Sequence, residues 1–172
     1  MLEPVDALIG RLVLQYLADP AQVVRRLATL VKPGGLVAFQ EAEVKDGVYS
    51  EPVCPVYETT IQRMAQTFTR LGAEARTGSK LAQMFQAAGL PAPQMMLHAR
   101  VEQGPDSPIY HLVAQMIRVM LPLMQRTGVA TAEEVGVETL AERMRAEAVA
   151  LEATLVFPAL ISAWTRTPLT KE

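Results

Sequence analysis

Histidine and cysteine are nearly missing from this 172-residue chain, which carries two of the first and one of the second. His98 and His111 have neither a cysteine nor a second histidine at ligand spacing, so each reads as a core or surface side chain, and no metal site is expected. Cys54 alone cannot close an internal disulfide, which fits a reducing cytoplasm. It sits between Pro52 and Pro55 with no histidine near it in sequence, and reads as a packed thiol, not a nucleophile. A basic surplus is missing too: 16 Lys and Arg stand against 18 Asp and Glu, a net charge of −2, with a pI near 5.8. Nothing is left over to neutralise a phosphate backbone, so nucleic acid is not an expected partner.

No serine sits in a G-x-S-x-G elbow, so hydrolase-type attack has no local support. The ten glycines include no G-x-G pair, which excludes a dinucleotide turn or phosphate cradle within this sequence. The longest apolar stretch, residues 153–164, is too short to span a bilayer and contains Pro158. Residues 1–6 carry acids where a secretory leader carries bases, and no membrane partner is expected. There is no repeat, low-complexity tract or linker, so the reading is one domain over 1–172.

What is present is apolar patterning. Half of the residues are hydrophobic, a fifth are charged, and mean hydropathy is +0.17, enough to build a core. Residues 5–9 form a short apolar run suited to a strand buried on both faces. Asp19 and Pro20 then start a helix, an acid for the free amides and a proline pre-set for the first turn. Val23, Val24, Leu27, Leu30 and Val31 recur at helical spacing until Pro33, Gly34 and Gly35 end it. Residues 36–39 read as a second buried strand finishing in Gln40 and Glu41. The strand–helix–strand unit predicts a parallel pair.

Residues 43–55 read as a polar loop. Helices are predicted with Val56, Ile61, Met64, Ala65, Phe68 and Leu71 on one face, and from Ser79 with Leu81, Met84 and Phe85. Residues 93–101 read as a third strand. Ser107-Pro108 starts a helix whose stripe runs Ile109, Leu112, Val113, Met116, Ile117, Met120, Leu121 and Met124, and Pro122 should kink or end it. Thr131 with Glu134 forms a capping box, residues 140–151 a charged helix, and residues 153–164 a last strand with Pro158 at a bulge or edge.

Two groups of side chains stand out for chemistry. Glu41 and Glu43 follow the second parallel strand, where ligands bind in open α/β sheets; a solvated strand end is the plain alternative. Met116, Met120 and Met124 read as core or as an adaptable wall for an apolar substrate.

Residues 6–14 (DALIGRLVL), 30–35 (LVKPGG) and 35–41 (GLVAFQE) closely resemble class I S-adenosylmethionine-dependent methyltransferases. Residues 78–90 (GSKLAQMFQAAGL) and Ala163-Trp164-Thr165-Arg166 continue the likeness, in the family's order. The resemblance implies an α/β fold: part of a doubly wound sheet comprising family strands four to seven, mostly parallel with an antiparallel last strand. A helical insertion over about 108–151 would precede that last strand. The family's first strand with its glycine-rich turn, and its second strand with a ribose-binding acid, would both precede Asp6. The chain thus resembles the carboxyl-terminal half alone.

By resemblance, Gly10, Arg11 and Leu12 would line the methionine side of S-adenosylmethionine; for Arg11 a plain surface charge is the alternative. Tyr16, Gln40 and Glu41 would face the methyl acceptor, with Glu41 as base. Met116 and Met120 would then lie near a small, apolar acceptor. Such a chain is expected to be inactive alone. An alternative is a non-catalytic module that pairs with another chain or binds a small molecule. In the family the first strand lies beside the fourth, so residues 5–9 would be an exposed edge, and dimerisation through it is expected.

Overall fold

The computed structural model describes residues 3–44 and 48–169; Met1 and Leu2 of the leader reading, and residues 45–47 of the expected loop, lie outside them. In chain order the first elements are β1 (Val5–Arg11), a short 3-10 turn (Leu14–Tyr16), α1 (Pro20–Ala28), β2 (Val31–Glu43) and β3 (Tyr49–Glu51). Next come α2 (Pro55–Arg70), α3 (Thr77–Ala87), β4 (Gln94–His98), β5 (Val101–Glu102) and α4 (Ile109–Arg126). Then follow α5 (Ala132–Val135), α6 (Val137–Ala150), β6 (Thr154–Val156) and β7 (Ala159–Arg166). The fold is mixed α/β. Two compact units share the chain: the first holds Met1–Glu43, Arg76–His98 and Leu160–Glu172, the second Val44–Ala75 and Ala99–Ala159.

The first unit is built on a sheet of order β1-β2-β7-β4. β1 and β2 are parallel, Ala7 opposite Leu36 and Arg11 opposite Gln40, as the strand–helix–strand pattern predicts. Between them α1 starts where expected: the Asp19 carboxylate accepts from the Gln22 amide at 2.9 Å, and Pro20 occupies the first turn. β4 is antiparallel to β7, with Gln94 opposite Trp164 and His98 opposite Leu160. Thr167 exchanges main-chain hydrogen bonds with Gly34 and Gly35, whereas Ser162 meets Gln40, so β7 also runs against β2. β4 therefore shares the direction of β1 and β2.

Helical and strand periodicities meet in one core. Val24, Leu81 and Phe85 of the helices pack on Val37 and Phe39 of β2 and Ala163 of β7. Phe85 stands edge-on to Phe39, ring centres 6.2 Å apart.

Several expected boundaries move. α1 ends at Ala28, not at the Pro33-Gly34-Gly35 turn, because the Leu30 carbonyl accepts from the Val5 amide and Val31 opens β2. α3 begins at Thr77, where the Glu43 carboxylate, from another element, accepts from the Ser79 amide at 2.9 Å. The single strand expected over 153–164 is two strands, β6 and β7, interrupted at Phe157 and Pro158. The expected 43–55 loop contains β3.

The second unit pairs a small antiparallel sheet, order β3-β6-β5, with the helices. α4 packs on α2 and α6, and Ile61, Met64, Ile117, Met124, Leu140 and Met144 are buried. α4 does not end at Pro122. The ring is exposed, and burial of Ile117, Met120 and Met124 on either side of it outweighs the single hydrogen bond lost there. The buried face of α2 is rotated from the expected one: Tyr57, Ile61 and Met64 are inside, while Leu71 is exposed.

Burial also fixes how this unit responds to base. It pushes the Cys54 thiol above its ordinary 9.0, only partly countered by the hydrogen bond with Ser50. The phenols of Tyr57 and Tyr110 are likewise raised above 10.0 by burial, and donate to the carbonyls of Val156 and Gly104. The folded state thus keeps protons that the unfolded chain releases, so stability is full below about pH 9 and falls as pH rises beyond it. Denaturant titrations across pH 7–11 should show that fall, with Tyr57→Phe flattening its part above pH 10; an unchanged slope would disprove the assignment.

Candidate functional site at the carboxyl end of the parallel pair

β1 leaves the sheet through a turn that the sequence would not choose unaided. Leu12 has φ of 54°, a left-handed conformation that costs a branched residue about 1 kcal/mol or more. Three contacts hold it. The Leu12 amide donates to the Gln40 carbonyl at 2.9 Å. The amides of Val13 and Leu14 donate to one oxygen, Oε1, of Glu41, at 3.0 and 2.9 Å. The Glu41 side chain is fully buried, on the same sheet face as Phe39 and beside buried Leu14. Its second oxygen, Oε2, has no hydrogen-bond partner among the described residues.

On the other face of the same strand ends lies a polar relay. Arg11 donates from Nε to Oε1 of Gln40 at 2.9 Å, and Gln40 donates from Nε2 to Oγ of Ser162 at 2.9 Å. It crosses β1, β2 and β7. Gly10 is tight rather than open: a Cβ there would stand 2.3 and 2.5 Å from ring atoms of Phe39. Close approach at Gly10 is therefore to the core.

The sequence-predicted residues fall into two groups. Gly10, Arg11, Leu12, Gln40 and Glu41 are brought together at the ends of β1 and β2, with Tyr16 just beyond, 63% exposed. Met116 and Met120 are on α4 of the second unit, Met116 half-buried and Met120 8% exposed. Glu43 accepts from Arg76 Nε and the Ser79 amide, which makes it an anchor for α3. Ser162 escaped the sequence reading, since only the pairing of β7 with β2 brings it to Gln40. The amides of Val13 and Leu14 escaped it as well.

A cavity of about 920 Å³ in the first unit opens elsewhere, lined among others by Pro4, Arg25, Lys32, Leu90 and Leu169. Pro4 and Lys32 mark the amino ends of β1 and β2, opposite to the end where open α/β sheets hold ligands. Among the described residues no group of three His, Cys, Asp or Glu could hold a metal ion, and no helix is long and apolar enough to cross a membrane.

No protein-family model matches the chain, and no curated protein does. Solved structures with a similar backbone course include a candidate methyltransferase from Bacillus halodurans, 12% identical, covering 96% of this chain and 65% of that one, with a TM-score of 0.49. Phosphoethanolamine N-methyltransferase 2 of Haemonchus contortus, solved with S-adenosyl-L-methionine, is 16% identical over 98% of this chain and 35% of its own, TM-score 0.41. The [4+2]-cyclase SpnF is 15% identical, over 98% and 51%, also at 0.41. The chain thus spans from about two thirds to about one third of the length of these proteins.

Proposed function

We propose that this chain is the carboxyl-side part of a cytoplasmic S-adenosylmethionine-dependent methyltransferase for a small, apolar acceptor, inactive when isolated. One observation carries the reading: the matched segments 6–14 and 35–41 become adjacent parallel strands whose carboxyl ends meet at a strained, anchored turn. The sheet of order β1-β2-β7-β4 supports it, since the resemblance implies a mostly parallel sheet with an antiparallel last strand and β7 runs against its neighbours. When bound, the cofactor supplies a methyl carbon activated for in-line displacement, and the protein's share is largely alignment. Gly10, Arg11 and Leu12 form the edge facing the methionine side. Tyr16 is assigned to the acceptor. Glu41 acts here by holding the turn, because a fully buried carboxylate already accepting two amides is poorly placed to take a proton from an acceptor.

The test is binding of S-adenosylhomocysteine by titration calorimetry. The isolated chain should show no micromolar binding, and the chain extended by the polypeptide encoded directly upstream of Met1 should. Micromolar binding by the isolated chain overturns the inactivity. An upstream stretch without a strand and glycine-rich turn, or an extended chain that stays inert, overturns the methyltransferase reading.

The free edge of β1 favours a second reading, a module that pairs with a second copy of itself. Among the described residues β1 hydrogen-bonds to β2 alone in its sheet, with Val5 44% and Ile9 73% exposed. Such an edge offers unpaired amides beside apolar side chains. Light scattering should show a concentration-dependent dimer that Ile9→Lys abolishes; a monomer at high concentration would sink this reading.

A further inference from the structure

The geometry points to Arg11 as the binding residue for an oxyanion, a carboxylate or a phosphate, with Gln40 and Ser162 as the positioning residues that aim its guanidinium. It concerns a residue that the methyltransferase reading already sets on the cofactor-facing edge, but its test by oxyanion titration needs no cofactor, so either reading can fail alone. A guanidinium is a planar fork that suits two acceptor oxygens at once. In Arg11 only Nε is engaged, by the neutral amide oxygen of Gln40. The two terminal nitrogens and the whole positive charge are left without a partner among the described residues.

Four other arginines have their charge matched directly. Arg76, Arg100, Arg118 and Arg145 each face a carboxylate. Arg63 and Arg70 donate to main-chain carbonyls. Arg11 is gripped instead by a side-chain amide. The orientation of that amide is forced, because Nε of arginine can only donate; Oε1 of Gln40 must face it, and Nε2 must turn to Ser162. Gln40 is half-buried and fixed at both ends, so the fork is held in one plane before any ligand arrives. The place is right as well: Arg11 is the last residue of β1, at the carboxyl end of a parallel pair, followed by the left-handed Leu12.

The experiment follows the Arg11 Nε–Hε resonance by 1H–15N NMR, assigned by its loss in Arg11→Lys. Sodium acetate or sodium phosphate is titrated against sodium chloride at matched ionic strength. The wild-type signal should shift saturably with at least one oxyanion and not with chloride. Acetate alone identifies a carboxylate site, phosphate alone a phosphate site, and both a general oxyanion site. Gln40→Glu places a carboxylate on the fork without changing its shape, and should weaken binding about tenfold or more, with the resonance still present. Arg11→Lys keeps the charge but loses the fork, so acetate affinity, read from neighbouring amides, should fall about fivefold or more. Ser162→Ala should weaken binding by a smaller factor while leaving the fold unchanged. A wild-type resonance that does not saturate, or affinity unchanged in both Gln40→Glu and Arg11→Lys, overturns the assignment.

Discussion

Replacing Glu41 with leucine should destabilise the first unit by about 2–4 kcal/mol, and replacing it with glutamine by about half of that. The leucine variant strips the acceptor from two main-chain amides, Val13 and Leu14, in a setting where water does not reach the carboxylate. Each buried donor left unpaired costs roughly 1–3 kcal/mol. The loss is smaller than the sum because leucine also removes the buried, partnerless Oε2. Glutamine keeps an oxygen for the two amides but turns that orphan acceptor into an orphan donor. With two compact units in one chain, a single global transition would blur the result. Amide hydrogen exchange is the sharper measurement: Val13 and Leu14 should exchange much faster in Glu41→Leu and only modestly faster in Glu41→Gln. If both amides stay protected in the leucine variant, Glu41 does not hold the turn.

That turn also marks how far local pattern reaches. The start of β1, the Asp19-Pro20 helix start and the apolar middle of the second strand are legible because each depends on residues adjacent in sequence, although β1 runs on to Arg11 and β2 to Glu43. So is the meeting of Gly10, Arg11, Leu12, Gln40 and Glu41 at the ends of β1 and β2. What Glu41 does there is not legible, since its partners are backbone amides 27 and 28 positions away. β2 is longer than its apolar run for a similar reason. Its Pro33-Gly34-Gly35 segment reads as a stop, yet Thr167 supplies partners for Gly34 and Gly35 from the far end of the chain. α4 passes Pro122 because buried side chains before and after it hold the helix, a tertiary effect that overrides the local one. The two units leave no mark in composition. The chain crosses between them at single peptide bonds, such as Glu43–Val44 and Ala75–Arg76, so there is no linker to find.

Gly10→Ala separates two reasons for a glycine at this strand end. Resemblance makes Gly10 part of a cofactor-facing edge, where a methyl group would chiefly harm ligand binding. The packing gives another cost: the new Cβ would sit 2.3 and 2.5 Å from ring atoms of Phe39, distances at which something must move. Phe39 has little room, being 3% exposed and set edge-on against fully buried Phe85. Overpacking of this kind costs about 1–3 kcal/mol, and the crowded aromatic pair places Gly10→Ala at the upper end. A double-mutant cycle tests the mechanism. Phe39→Leu alone should destabilise by about 1 kcal/mol or somewhat more, through lost area and a small cavity. Once the ring is replaced by the smaller leucine side chain, the added methyl has space. Gly10→Ala combined with Phe39→Leu should therefore cost less than the two single changes added together, by roughly 1 kcal/mol or more. Strict additivity would mean that the ring is not what Gly10 makes room for, and the glycine would then be held for what lies outside the core.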